Sequence, residues 1–171
     1  IKMERKLVFP IDGETTDSLQ VRDQILIYGR IYCGRDAVLP QIVKAVNEGR
    51  LKEKGIVLDG SLIFHTAVSR AGVGPTSSNK QEIESSIPAL SAAGVRMHLG
   101  KGALKRETIQ ELARYHSVYA VIPPVTALLE SKTVSRRVAA FPELGMEAFY
   151  ELTVEGYPAV IAAAHGISIF D

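Results

Sequence analysis

Hydrophobic and polar positions change period several times along the chain, and each change marks a predicted element. Residues 24–32, from Gln24 through Ile25, Ile27, Tyr28 and Ile31 to Tyr32, are rich in β-branched and aromatic side chains and predict a strand. The following apolar positions, Val38, Leu39, Ile42, Val43 and Val46, recur at helical spacing. Asp36 is expected to cap that helix, with Pro40 tolerated in its first turn and Gly49 ending it. Short strands are predicted at 56–58 and 61–65 about the turn dipeptide Asp59-Gly60, then a helix over 77–93 stopped by Gly94. A strand at 95–99 and a helix at 104–115 follow, and the unbroken apolar run 118–122 reads as a buried strand. Pro123-Pro124 breaks that run before a short helix at 126–131. The chain ends in strands at 134–140, 148–154 and 159–164, the last two divided by Gly156 and Pro158. Residues 1–20 carry Pro10, Gly13 and the polar cluster Thr15-Thr16-Asp17-Ser18, and read as an N-terminal arm before a compact part at 21–171. Strands alternating with helices and closing on a strand-rich end predict a single mixed α/β (β/β/α) domain without internal repeats.

Composition narrows the function without naming it. With 171 residues, 46% apolar and 23% charged, the chain can bury a sizeable core. Lys and Arg number 20 against 19 Asp and Glu, a balance of +1 that argues against a general nucleic-acid or membrane-surface binder. The longest purely apolar stretches, such as 159–164, fall far below the roughly 18 residues that span a bilayer. Residues 1–6 are charged and lack the apolar core of a signal peptide, so a soluble cytoplasmic domain is expected. The lone cysteine, Cys33, cannot make an internal disulfide or by itself hold an iron–sulfur cluster or a structural zinc. His65, His98, His116 and His165 show no metal-ligand spacing, so no metal ligand is expected from this chain, and a hydrogen-bonded structural role suits those in apolar strands.

Three loops following strands carry residues suited to an anion. Gly34-Arg35-Asp36 places a guanidinium fork near a helix start, where backbone N–H groups also attract anions. An Arg–Asp surface pair at a helix cap is the plainer alternative. Gly72-Val73-Gly74-Pro75-Thr76-Ser77-Ser78-Asn79-Lys80 sets three hydroxyls, an amide and a cation before a helix, and an ordinary helix cap is its alternative. It lacks the third glycine of a dinucleotide fingerprint. Gly100-Lys101-Gly102 lets the backbone approach a ligand under an ammonium, although a solvated turn would look the same. Gly94 stands one residue too early, and Gly102 replaces the hydroxyl residue, for a phosphate-binding loop. Ligands collect at strand ends in open sheets, so Arg35, Thr76, Lys80 and Lys101 become candidates for one site that suits a small dianion.

The segments Tyr32-Cys33-Gly34-Arg35-Asp36-Ala37, Gly74-Pro75-Thr76-Ser77-Ser78 and Gly100-Lys101-Gly102 occur in an order and spacing that resemble the β subunit or C-terminal domain of class I fumarases and L(+)-tartrate dehydratases. Pro142-Glu143-Leu144-Gly145-Met146-Glu147-Ala148 and Val154-Glu155-Gly156-Tyr157-Pro158-Ala159 fit the same pattern, so the resemblance covers residues 21–171. It implies a swivelling β/β/α fold and a hydro-lyase that hydrates fumarate reversibly to (S)-malate. It also implies a hetero-oligomer in which an α subunit carries a [4Fe–4S] cluster acting as a Lewis acid. On this resemblance Arg35, Lys80, Lys101 and Ser77 bind substrate carboxylates, while Thr76, assisted by Lys101, takes part in proton transfer. The chemistry is sensible: a C–H beside a carboxylate is weakly acidic, and its developing charge must spread into a carboxylate held by cations.

The sequence departs from the family pattern at two places. Leu39, followed by Pro40, stands where the family usually has histidine, and Lys80 stands where it often has arginine. Lysine is a point charge and cannot grip a carboxylate with a planar fork. L(+)-tartrate dehydratase, another dicarboxylate hydro-lyase and a non-catalytic degenerate subunit are the alternative readings.

Overall fold

The computed structural model describes residues 4–69, 72–73, 80–123 and 125–170. In chain order its elements are β1 (Arg5–Phe9), α1 (Gly13–Asp17), β2 (Gln24–Cys33), α2 (Leu39–Asn47), β3 (Leu62–Phe64), β4 (Val68–Ser69), β5 (Gly72–Val73), α3 (Lys80–Ala92), β6 (Met97–Gly100), α4 (Arg106–Arg114), β7 (Val118–Val121), α5 (Thr126–Ser131), β8 (Thr133–Ala140), β9 (Phe149–Ala164) and β10 (Ile167–Ser168). The expected mixture of helices and strands in one α/β domain is what forms. Among the described residues no helix is long and apolar enough to cross a membrane.

The sheet closes on itself. Tyr32 and Cys33 at the end of β2 pair in parallel with Ile63 and Phe64 of β3, β3 pairs in parallel with β6, and β6 in parallel with β7. β7 then pairs antiparallel with the end of β9, and β9 runs back antiparallel along β2 from Gln24↔Val160 to Cys33↔Tyr150. Five strands therefore form a ring, while β1 and β8 extend it on the outside of β2 and β9. Ring closure explains the alternation of the short parallel strands. Leu62, Phe64, Met97, Leu99, Val118 and Ala120 fill the inner core, while Ile63 and Tyr119 point outward into clusters completed by helices.

β9 corrects the expectation of two strands divided at Gly156 and Pro158: it is one 16-residue strand. The pairing slips between Ile27↔Tyr157 and Tyr28↔Glu155, which leaves Gly156 as an extra residue with φ of 89°. A bulge of this kind shifts side-chain parity by one. The inward set accordingly changes from Leu152 and Val154 to Tyr157, Ala159 and Ile161, so one continuous strand keeps its apolar face on the core.

Residues 1–20 are likewise more than an arm. β1 pairs in parallel with residues 25–29 of β2, and Leu7, Phe9 and Leu19 are buried in the inner core. Asp12 accepts the Thr15 amide at 2.7 Å and so caps α1, and His165 donates from Nε2 to the Leu19 carbonyl at 2.7 Å. Among its described residues the apolar side chains turned inward, Leu7, Phe9 and Leu19, are scattered between charged and polar neighbours, so the local pattern reads as an arm. Two smaller corrections concern local signals. α2 starts at Leu39 with Val38 at its N-cap, so Asp36 is not the cap, although Pro40 does lie in the first turn. Residues 56–58 form no strand, and Asp59-Gly60 is a turn leading into parallel pairing rather than a hairpin.

Gly29 is fixed by close approach: its φ is 99°, and a Cβ there would lie 2.5 Å from the Phe9 carbonyl oxygen. Gly49 also has positive φ, 69°, but faces open space. Gly29→Ala combines backbone strain with a clash against β1 and is expected to cost about 2–4 kcal/mol, against about 1 kcal/mol for Gly49→Ala. Urea unfolding of both variants checks the difference; equal losses would refute the packing account.

Candidate functional site

β2, β3, β6 and β7 are mutually parallel, so their C-terminal ends share one rim. Cross-strand bonds carry the alignment into the loops: the Gly34 amide donates to Phe64 O at 3.1 Å, His65 to Leu99 O at 2.9 Å, and Ile122 to Gly100 O at 3.1 Å. The segment carrying Arg35 and the segment carrying Lys101 thus leave the sheet on either side of the residue that follows β3. The C-terminal ends of parallel strands are where α/β folds, open or closed, collect a ligand.

At the first of these loops the backbone packs tightly. A Cβ at Gly34 would lie 2.7 Å from Val38 Cγ1, 3.1 Å from Phe149 Cδ1 and 3.2 Å from Leu39 Cδ2, so glycine lets the chain turn directly over the core. Leu39, at the position where histidine was expected from the family pattern, is 1% exposed and belongs to the apolar cluster with Phe149 and Ile42. Arg35 emerges beside this cluster, and its guanidinium meets Glu147 at the end of the 3₁₀ turn Pro142–Glu147. Nε donates to Glu147 Oε1 at 2.7 Å and Nη2 lies 2.5 Å from the same oxygen. That hydrogen bond raises the Arg35 pKa above its already high ordinary value. The half-buried pair fixes the plane of the guanidinium.

Lys101 is exposed on a loop held at both ends. The buried Tyr119 hydroxyl donates to the Gly102 carbonyl at 3.0 Å. Glu84 of α3, 6% exposed, accepts from the Lys105 amide at 2.8 Å and the Thr108 hydroxyl at 2.7 Å through Oε1. The helix that opens with Lys80 is therefore tied to the segment leaving Lys101. Thr76 and Ser77 lie outside the described residues, and Lys80 is described only as the first residue of α3.

Two buried histidines stand behind the rim. His65 Nε2 lies 2.9 Å from His98 Nδ1, and His98 Nε2 lies 3.0 Å from Ser91 Oγ on α3. Desolvation pushes the His65 pKa down to about 3, and the same effect, with His65 nearby, holds His98 well below its ordinary value. Cys33 is wholly buried, and desolvation raises its thiol pKa.

A sequence model of the family described as Fumarase C-terminus matches residues 4–171. The chain belongs to that family. The match takes in β1 and α1 as well as the part expected at 21–171. The putative L(+)-tartrate dehydratase subunit beta of Methanocaldococcus jannaschii is 29% identical over 168 residues, covering 90% of this chain and 84% of that protein. The aerobic class I fumarate hydratase of Escherichia coli K12 is 25% identical over 149 residues, which cover 82% of this chain and 27% of that protein. For the putative class I fumarate hydratase of Geobacillus stearothermophilus the identity is 26% over 176 residues, or 95% of this chain and 32% of that protein. This chain thus spans about a third or less of those fumarate hydratases.

In this fumarase C-terminal domain, sequence reasoning placed Arg35 and Lys101 on loops that the fold brings to one rim. It gave no role to Glu147, Glu84 or Tyr119. Glu147 lies in the quoted Pro142–Ala148 segment but 112 residues from Arg35, and only the closed sheet joins them. Glu84 lies inside the stretch expected to be helical at 77–93, where a carboxylate normally faces solvent.

The histidine pair makes a pH prediction. Both rings remain neutral in the fold at pH 5, whereas each titrates near 6.5 when unfolded. The unfolded chain binds more protons as pH falls, so the stability contribution is intact above about 6.5 and is lost below it. Each ring is expected to cost about 2 kcal/mol of stability between pH 7 and pH 5. Urea midpoints at the two pH values check this, and His98→Gln should remove about half of the pH-dependent loss.

Proposed function

We propose that this chain is the β subunit of a fumarate hydratase, catalysing reversible hydration of fumarate to (S)-malate in a hetero-oligomer with an α subunit. The observation carrying the reading is the placement of the Arg35 and Lys101 loops at the same end of the parallel strands β2 and β6, which flank β3, on a chain whose relatives are named as a tartrate dehydratase subunit and fumarate hydratases. A four-carbon dicarboxylate needs two separated cationic contacts, and these loops supply them without a large net charge elsewhere. Arg35 binds one carboxylate with its guanidinium plane set by Glu147. Lys101 takes the other, with Lys80 and Ser77 as further carboxylate contacts. Thr76 takes part in proton transfer at the carbon next to a carboxylate, a role in which its hydroxyl needs positive charge, such as the Lys101 ammonium, to stabilise developing negative charge.

The single cysteine leaves this chain without a donor set for the [4Fe–4S] cluster, and Cys33 is sealed in the core. We therefore assign the cluster to the α subunit, and the roles above concern binding, orientation and proton transfer by this chain's own groups.

L(+)-tartrate dehydration is the second reading. It is favoured by the M. jannaschii relative, which is named as a separate beta subunit and is covered over 84% of its length. Anaerobic co-expression with the α subunit, followed by assays with fumarate, (S)-malate and L(+)-tartrate, decides between them. Activity is expected only in the assembled pair. Thr76→Ala should reduce kcat by about 100-fold or more with a smaller change in KM, while Arg35→Ala should raise KM as well. An assembled, cluster-loaded complex inert towards all three compounds would overturn the catalytic reading and favour a non-catalytic subunit.

A further inference from the structure

Ser91, His98 and His65 form one hydrogen-bonded chain from α3, through β6, to the residue following β3. Its inner links are complete, but its last atom is not. His65 is 5% exposed, and its Nδ1 is buried with no hydrogen-bond partner among the described residues. Burying such an atom unpaired forfeits its hydration with nothing in return, so a purely structural pair does not account for it.

The position of His65 suggests what the atom serves. Its amide donates to Leu99 O, one residue before Gly100, and the preceding Phe64 carbonyl accepts from Gly34 N, the residue before Arg35. His65 therefore lies just behind the rim, between the two loops assigned to substrate carboxylates. A neutral imidazole nitrogen differs chemically from the cations on either side, and it matches a hydroxyl group, which both donates and accepts.

We propose that His65 Nδ1 is a substrate contact that recognises the hydroxyl of a 2-hydroxy dicarboxylate, with His98 and Ser91 as its positioning residues. This rests on the dicarboxylate reading given above. The chain serves both polarities. When His65 Nε2–H donates to His98 Nδ1, His98 Nε2–H donates to Ser91 Oγ, and His65 Nδ1 accepts from the ligand. When His98 Nδ1–H donates to His65 Nε2, the Ser91 hydroxyl donates to His98 Nε2, and His65 Nδ1–H donates to the ligand. In either arrangement both rings are neutral and the His65 ring is held by the same partners.

Two substitutions separate ligand contact from structure. In His65→Gln the side-chain amide reaches towards the position of Nε2 and keeps the link to His98, but loses Nδ1. In His65→Asn the amide stays near the position of Nδ1 and gives up the buried link. Binding of (S)-malate and of succinate, which lacks the hydroxyl, is measured by calorimetry on the full chain and on its complex with the α subunit. His65→Gln is expected to weaken malate binding about tenfold while leaving succinate unchanged, and His65→Asn to hold malate within about threefold of wild type. In the wild-type full chain, the ¹⁵N resonance of His65 Nδ1 should move on adding malate and stay in place with succinate.

Equal effects on both ligands, no effect of His65→Gln, or an unmoved Nδ1 resonance in malate-bound protein would overturn the proposal while leaving the dicarboxylate reading in place. Failure of the wild type to bind either compound, alone or in the complex, would overturn both.

Discussion

Strand β2 is hydrogen-bonded on both edges, and the rest of the structure depends on that double pairing. Along one edge it runs against β9 for its whole length; along the other it holds β1 and then β3. The second edge starts the parallel series β3, β6 and β7, and β9 closes that series back onto β2. Closing removes the two free edges that an open five-stranded array would expose, and it allows one inner core to be sealed from all sides. The long strand β9 also carries bulges, one within its pairing with β2 and one within its pairing with β7. Gly156 supplies one of these at a φ that favours glycine. Without the slip, every side chain on one side of it would face the wrong way.

The same closure concentrates polar groups at one end. Four parallel strands finish together, and backbone bonds from Gly34, His65 and Ile122 to the neighbouring strands keep the outgoing loops in step. Around this rim the fold holds its charged groups through side chains distant in sequence: Glu147 sets Arg35, while Tyr119 and Glu84 brace the segment around Lys101. Behind it, desolvation keeps His65 and His98 uncharged. Cations at the surface and neutral hydrogen-bonding groups beneath them make a graded environment. A charge is costly in the core, but a neutral polar group is tolerated there when partnered.

Much of the element order was legible because local patterns are strong where a helix or strand has one buried face. The α5 range was read at its observed limits, and β2, α4, β7 and β8 were recovered within one or two residues of their ends. The failures share a cause. β1 looked like a polar arm because an outer strand needs few inward apolar residues, and β9 looked divided because glycine and proline mark a bulge as readily as a turn. At the rim, the Gly34-Arg35 and Gly100-Lys101-Gly102 segments were visible as loops with a cation. Their partners were invisible, since a glutamate on a helix or an aromatic in a strand carries no local sign of what it will meet.

By itself the sequence determined the class of fold, the family, the near-neutral charge and the presence of too few thiols for a cluster. These follow from composition, periodicity and motifs, each of which is local or additive along the chain. Tertiary structure alone decided which strands share an edge, which carboxylate faces Arg35, and that two histidines 33 positions apart would meet at 2.9 Å with one nitrogen left without a partner among the described residues. Those outcomes depend on register and ring closure, which bring distant residues together through backbone hydrogen bonds that every sequence can make, and whose choice is fixed only when the whole apolar surface is buried at once.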